Sequence, residues 1–415
     1  MPQCSSFLMI TTLLCSTLSI AVSVPACQLH APKQKNLTPV KSERLQVDGP
    51  PFGLAFAKQK NIAFVALNHT LGVLDTSNLK TKLLHQVPLP ITSTVPIGEI
   101  ENYSYPAEGI TLTPDGKSVL VTQFDSTLLV VDAEKAIAND TNAVTAILNG
   151  TAAAGAGAIE VTAYQNYAFV SQERGSNDTH RRGTIEVFNL PKQTKFGLQP
   201  STVGYIPLGQ AVVGTALSKD KKYLFATSEI GNDAKITMLA NTTEGPIPAG
   251  EGTLSTLDVK TLTSFTSQAL VSNVTAGCGA VRVEVSPDGK VAWVTARESN
   301  SLLAFDTKKL VSEPHKALIA TVQVGQSPIG HVFARNGKRI LTADSNRFRL
   351  PNATSGLSVV DVKAALNGKG QKAVLGSIPT GSFPRELALS PDGKQILVSL
   401  YGSKEIQSID VASLP

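Results

Sequence analysis

The sequence predicts an all-β fold in which seven four-stranded blades close into a ring, and three observations carry that reading. One pattern recurs along the chain, as "TPDGKSVLVTQ" at 113–123 and "SPDGKVAWVTA" at 286–296 among seven copies. Each copy alternates apolar and polar residues on either side of a tight turn, the pattern of paired short strands. The last copy lacks a fourth strand, and a segment ahead of the first copy can supply it. The chain has 415 residues, 42% hydrophobic and 17% charged, so it can bury a large core. Its net charge of +5 is spread without basic runs and aromatics are 5%, so nucleic acid is not an expected partner.

Residues 1–26 read as a secretory signal peptide, with an apolar run from Phe7 to Val24 and "VPA" before Cys27. The alternative is a membrane anchor, but Thr, Ser and Cys interrupt the run and no later segment is long enough to span. Residues 27–43 form an N-terminal arm and 44–415 the ring. Nine asparagines stand in N-x-S/T sequons: Asn36, Asn68, Asn102, Asn139, Asn149, Asn177, Asn241, Asn273 and Asn352. They predict a glycosylated, secreted protein with no membrane span once the signal is removed. Cys4 and Cys15 leave with the signal. Cys27 and Cys278 then have only each other as partners within the chain, in an oxidising compartment. A disulfide is expected, with two unpaired thiols as the alternative.

The first copy, "GLAFAKQKNIAFVAL", and the six after it each give two strands, a loop, and a third strand. The third strands end at Asp75, Asp132, Asn189, Asp258, Asp306, Asp361 and Asp410, 48 to 69 residues apart. Pro in the turn presets φ and Gly tolerates positive values. Fourth strands follow as "VTAILNG", "VGYIPLG", "LIATVQVG" and "VLGSIPTG". "RLQVDGPPFG" at 44–53 matches that outgoing pattern and is expected to complete blade seven, which would remove the free edges. The repeats "SPDGKVAWVTARESNSLLAFD" and "SPDGKQILVSLYGSKEIQSID" resemble the YVTN-type β-propeller repeat over about residues 44–415. Signal and sequons together resemble the secreted seven-bladed propellers of filamentous fungi, a group that includes hetero-Diels–Alderases. That repeat is specific for fold and weak for function.

Turns lie on one face of the ring, so the loops after the second strands lie on the other. The long insertions 171–184, 228–253 and 344–356 sit there, and so should the site. Aligned on the turn, the first strands show Gly53, Gly109, Ala158, Gly214, Arg282, Gly330 and Glu386 at one level. Two residues on they show Ala55, Thr111, Glu160, Ala216, Glu284, Val332 and Ala388. Arg282, Glu284, Glu160 and Glu386 break a rule of small residues. They either pair across blades or line a wet channel. His331 occupies a position held elsewhere by Leu54, Ile110, Ile159, Val283 or Leu387 and reads as a core histidine or a ligand contact.

Glu108 and Arg385 share a position just before the first strand and, with Arg297, are the catalytic candidates. Gln123, Gln172, Glu173, Arg174, Glu229, His331, Asp344 and Tyr401 are the substrate-binding candidates. Such polar groups suit an oxygen-rich small molecule, Arg neutralising a developing oxyanion and Glu moving protons. The sequence holds no H-E-x-x-H, paired C-x-x-C, Walker loop, G-x-S-x-G or dinucleotide fingerprint, and no cofactor or metal is expected. Calcium held by scattered carboxylates has no sequence spacing and stays an alternative. The resemblance implies cofactor-free joining of a tropolone quinone methide to a humulene-type terpene, and the chain is expected to act on its small-molecule substrate as a monomer. The alternatives are a lactonase or muconate-type cyclase, with Glu108, Glu160 or Glu284 activating water, and a non-catalytic binding protein. Arg297→Ala and Glu108→Gln are expected to lower turnover at nearly unchanged melting temperature.

Overall fold

The computed structural model describes residues 22–415 except 59–60, 92–93, 98–99, 105, 152–155, 176–178, 192, 195–196, 199–200 and 243–244. Seven four-stranded antiparallel sheets form the blades of a β-propeller. Their innermost strands are Pro51–Phe56, Ala107–Leu112, Ala158–Tyr164, Gln210–Leu217, Ala280–Val285, Pro328–Ala334 and Pro384–Leu389. Blade 7 takes its outer strand from the start of the chain: Ser42–Gln46 pairs antiparallel with Glu405–Asp410, Ser42 opposite Ile409 and Gln46 opposite Glu405. Closure is therefore by the N-terminal strand. Second strands are nearly dry, Phe64, Phe169, Phe225 and Trp293 being fully buried between neighbouring blades. Among the described residues no helix is long and apolar enough to cross a membrane.

The repeated residues have identifiable duties. In the turns, Thr113, Ser218, Ser286 and Ser390 each donate a side-chain hydrogen bond to the aspartate two residues on, while Gly116, Gly289 and Gly393 take φ of +77°, +81° and +72°. The aspartates ending the third strands cap short helices. Asp132, Asp258, Asp306 and Asp361 accept the free backbone N–H groups of Ala133–Ile137, Val259–Leu262, Thr307–Ser312 and Val362–Leu366.

Strand pairing sets the levels along the axis. Leu54 faces Val65, Ile110 faces Val121, Val161 faces Val170, Thr215 faces Ala226, Val283 faces Val294, His331 faces Thr342 and Leu387 faces Val398. One residue earlier come Gly53, Gly109, Glu160, Gly214, Arg282, Gly330 and Glu386. Glycine is required there by contact: a Cβ on Gly109 would lie 2.3 Å from Ile159 O and one on Gly214 2.4 Å from Val281 O. The alignment by turn is thus corrected in blade 3, where Glu160 rather than Ala158 stands with Arg282 and Glu386. That hairpin closes tightly, Tyr164 opposite Tyr167 with Gln165 at φ +51°, so its turn is shorter than Pro-Asp-Gly and counting from it slips by two residues.

Arg282 crosses the axis from blade 5. Its Nε and Nη2 donate to Glu386 Oε1 of blade 7 at 3.0 and 2.6 Å, Nη1 donates to Val213 O of blade 4 at 2.9 Å, and Glu160 of blade 3 lies 3.8 Å from Nε. Glu160 Oε2 also accepts Thr215 N at 2.9 Å. Beneath this bridge is a cavity of about 110 Å³ lined by Glu160, Glu284, Glu386 and His331. Burial pushes Glu160 up to about 7 and Glu284 up to about 8, and burial holds His331 neutral, down at about 3. Replacing Arg282 with Met should strand Glu386 without its cation. The melting temperature should fall by several degrees, and an unchanged thermal transition would show that the blades do not depend on the bridge.

Candidate functional site

The level above the Arg282 bridge forms the floor of the mouth. It consists of Phe52, Glu108, Ile159, Val213, Val281, Ile329 and Arg385, one from each blade, at equivalent places in the strand pairing. Five are apolar, and Glu108 and Arg385 flank Phe52 from blades 2 and 7. Above the floor, the ends of the second strands of blades 2 to 7 and the chain leaving them contribute Phe124, Glu173, Arg174, Glu229, Arg297, Arg347 and Tyr401. Together with Arg282 these side chains line a cavity of about 230 Å³.

Glu108 is 8% exposed, and its Oε2 is buried without a hydrogen-bond partner. Burial raises its pKa to about 8; Arg385 opposes the shift and Glu173 adds to it. At neutral pH Glu108 is therefore a neutral acid, able to donate a hydrogen bond or a proton. Arg385 stacks 3.7 Å above the centre of the Phe52 ring, with Tyr401 and Phe383 within 6 Å, and its Nε has no partner. Aromatic faces hold the cation in place with its Nε buried among them, and no carboxylate among the described residues pairs with it. Glu173 is also raised, first by burial and then by Glu229. Arg174 lies over the Phe124 ring at 5.3 Å.

Arg297 is occupied. Its Nη1 and Nη2 donate to both oxygens of Glu229 at 2.7 Å, and its Nε donates to Glu298 at 2.6 Å. Burial works against both partners' charges, yet Glu229 is held below the ordinary carboxylate range by Arg297, whose own pKa is raised by the two carboxylates. Arg297 and Glu229 form one wall of the mouth, backed by Glu298. The arm supports it from behind, where Gln28 N donates to Glu298 O at 2.7 Å and Asn300 Nδ2 donates to Gln28 O at 3.1 Å. The arm is covalently fixed by a Cys27–Cys278 disulfide, Cα to Cα 5.3 Å.

The structure thus brings together Glu108, Arg385, Arg297, Glu173, Arg174, Glu229 and Tyr401. Four other candidates are turned away from the mouth. Gln123 donates to Pro90 O at 2.8 Å and Gln172 donates to Glu186 at 2.9 Å, both fully buried. Asp344 accepts from Thr342 and Ser358 and is pushed up to about 7 by burial. His331 lies below the Arg282 bridge. Among the described residues no three of His, Cys, Asp and Glu converge to hold a metal ion. Of the sequon asparagines, Asn36, Asn68, Asn139, Asn149, Asn273 and Asn352 are exposed, while Asn177 lies outside the described residues. Residues 1–21 of the 1–26 segment expected to be a signal peptide lie outside them too.

Arg347 was not among the candidates. It comes from the 344–356 insertion, and its loop is anchored by Asn346, whose Nδ2 donates to Ala353 O and whose Oδ1 accepts Leu350 N. Phe348 and Leu350 pack beside Leu29 and Ile247. Arg347 is solvent-accessible and has no carboxylate within ion-pair distance among the described residues; nearby Arg297 pulls its pKa down.

These contacts revise the expectation for Arg297→Ala. Removing this side chain strands two buried carboxylates, so the thermal transition should drop by an amount equivalent to about 3–5 kcal/mol, measured by calorimetry. Glu108→Gln should act oppositely. The folded-state pKa is raised, so wild type loses stability as pH climbs from the unfolded value near 4.5 to about 8, and the variant does not. The variant should melt several degrees higher than wild type at pH 9 and match it at pH 4.

Comparison with models of known protein families finds no match, and comparison with curated protein sequences finds none. Solved structures do match in fold. A chain of Kuenenia stuttgartiensis hydrazine synthase superposes with a TM-score of 0.62 at 16% identity, covering 89% of this chain and 98% of that one. A chain in the crystal structure of the mitotic checkpoint complex gives 0.61 at 14% identity, covering 94% and 99%. At such identities the likeness is one of fold, and the chain is a seven-bladed β-propeller by architecture.

Proposed function

We propose that the mouth is the active site of a ring-forming enzyme that seats a compact, oxygen-rich and partly anionic molecule and polarises one of its carbonyl oxygens. The observation that carries this reading is the pairing, on one floor, of a neutral buried acid with a cation that has an unused donor. The Arg385 guanidinium, through a terminal nitrogen, and the Glu108 carboxyl would both donate to the substrate oxygen, drawing electron density from the conjugated carbons attached to it. Carbons so depleted react faster with an electron-rich alkene. In a hetero-Diels–Alder addition one C–C and one C–O bond form while the π electrons rearrange, with no leaving group and no net proton transfer.

The apolar members of the floor, Ile159, Val213, Val281 and Ile329, offer hydrocarbon contact to the same molecule. Arg174 and Arg347 at the rim have no carboxylate partner among the described residues and supply charge for an anionic oxygen. The cavity of about 230 Å³ suits one compact partner, with the second approaching from the open side. Hydrolysis of a lactone would instead need an ionised glutamate as base, and Glu108 carries its proton at neutral pH.

The test is to incubate the purified protein, or a boiled sample, with the host's metabolite extract and follow masses. A product that is the sum of two consumed species, or an isomer of one, supports ring formation. A gain of one water would replace the reading with lactone hydrolysis, and no change with simple binding. The rate should hold steady from pH 5 to 7 and fall as pH rises through about 8, where Glu108 loses its proton. Arg385→Met should cost about 10²-fold in kcat. Glu108→Gln, which keeps a donor but cannot ionise, should be slower than wild type and show no fall near pH 8.

A further inference from the structure

On the outer side of blade 6 the arm is held at two points and bowed between them. At one, Ala31 N donates to Gln326 Oε1 at 3.0 Å and Gln326 Nε2 donates to Leu29 O at 2.8 Å. At the other, Leu37 N donates to Ser377 O and Ser377 N donates to Lys35 O, at 2.8 and 2.9 Å. Beneath the bow runs a cleft of about 650 Å³ whose far wall is the 351–355 loop and the 377–380 segment. It is larger than the mouth and takes no part in the chemistry described above.

The lining has the character of a carbohydrate seat. Thr354 offers a hydroxyl, Thr380 a hydroxyl that donates to Gly381 O and can still accept, Gln34 an amide, and Pro351 and Pro379 flat apolar faces. Asp344 lies in the wall, but its oxygens are taken up by Ser358 and Thr342. Gln34 donates through Nε2 to Ser358 Oγ at 2.7 Å, whereas its Oε1 is buried with no donor. An orphaned acceptor on a residue that lines a polar cleft leaves a place for a hydroxyl or amide donor from whatever fills the space. Two sequon asparagines line this cleft, Asn36 on the arm and Asn352 on the opposite loop, and both are exposed.

We infer that the cleft is the seat of the protein's own N-linked glycan, attached at Asn352, and that this glycan latches the arm onto blade 6. The choice between the two asparagines follows from where each is rooted. A glycan on Asn36 belongs to the arm and moves with it, whereas one on Asn352 starts from the blade and must cross the cleft to reach Gln34. Attachment joins Asn352 Nδ2 to the anomeric carbon of a lipid-linked oligosaccharide. The lipid pyrophosphate leaves with the bonding electron pair, and one amide proton is lost. The disulfide fixes the arm at Cys27, and the sugar fixes its middle. Between the two lies Gln28, the residue that backs Glu298 and hence the Arg297 wall of the mouth.

The test uses the intact secreted protein and needs no substrate. Peptide mass spectrometry reads occupancy at Asn352, and hydrogen exchange reads the backbone amides of residues 30–36. Occupied wild type should protect these amides. Asn352→Gln and Thr354→Ala, which destroy the sequon from either end, should each speed their exchange by about tenfold or more, with Asn273→Gln as the unaffected control. Thr354 itself lines the cleft, so enzymatic release of the glycan from wild type separates loss of sugar from loss of the hydroxyl, and it too should speed exchange. An unmodified Asn352, protection that survives deglycosylation, or an effect confined to Asn36→Gln would each overturn the assignment.

Discussion

The constraint on which the rest depends is the single guanidinium laid across the ring axis. Inner strands of seven blades converge so closely that four of them can carry only glycine at that level. Gly53, Gly109, Gly214 and Gly330 alternate with Glu160, Arg282 and Glu386, so blades 3, 5 and 7 use the space that their neighbours vacate. Arg282 then meets Glu386, Glu160 and a blade 4 carbonyl at once. A buried ion pair contributes little to net stability against an apolar isostere, but it penalises every arrangement that leaves a charge without its mate. It ties blades 3, 4, 5 and 7 together at the axis and lies between the mouth and the smaller cavity below.

Above that bridge the cations divide by partner. Arg297 spends every edge of its guanidinium on Glu229 and Glu298, and its charge is cancelled where it stands. Arg385 is held by rings instead of carboxylates, so its charge remains directed at the cavity. Glu108, the acid that acts on it most strongly, is kept neutral by burial, which leaves that charge less opposed. The mouth is consequently electropositive despite holding several glutamates. That distinction between bound and available charge is a matter of geometry that residue type alone does not carry.

The sequence made the ring legible because its signals are local and repeated. The turn chemistry, the alternation and the spacing of the aspartates all point the same way. Closure by residues 42–46 could be read from the matching pattern at 44–53, and Glu108 and Arg385 were found together because they break one register. The same counting failed in blade 3, where a shorter hairpin without proline moved Glu160 by two residues. It also placed Gln123 and Gln172 by their position at strand ends, where the side chain turned inward to satisfy Pro90 O and Glu186. Arg347 escaped because an insertion has no register against which to stand out; only the packing of Phe348 and Leu350 aims it.

Closure by the first strand also orders events during synthesis. Ser42–Gln46 leaves the ribosome early but finds its partner, Glu405–Asp410, only when the chain is almost complete. For nearly the whole of translation the growing structure is an open arc, its first and last edges both unpaired. Cys278 emerges well before that, 251 residues after Cys27, and can tie the arm to blade 4 while the arc is still growing. A chain tethered in this way keeps its waiting strand close to the growing edge, where pairing with the seventh blade is an intramolecular step of short reach.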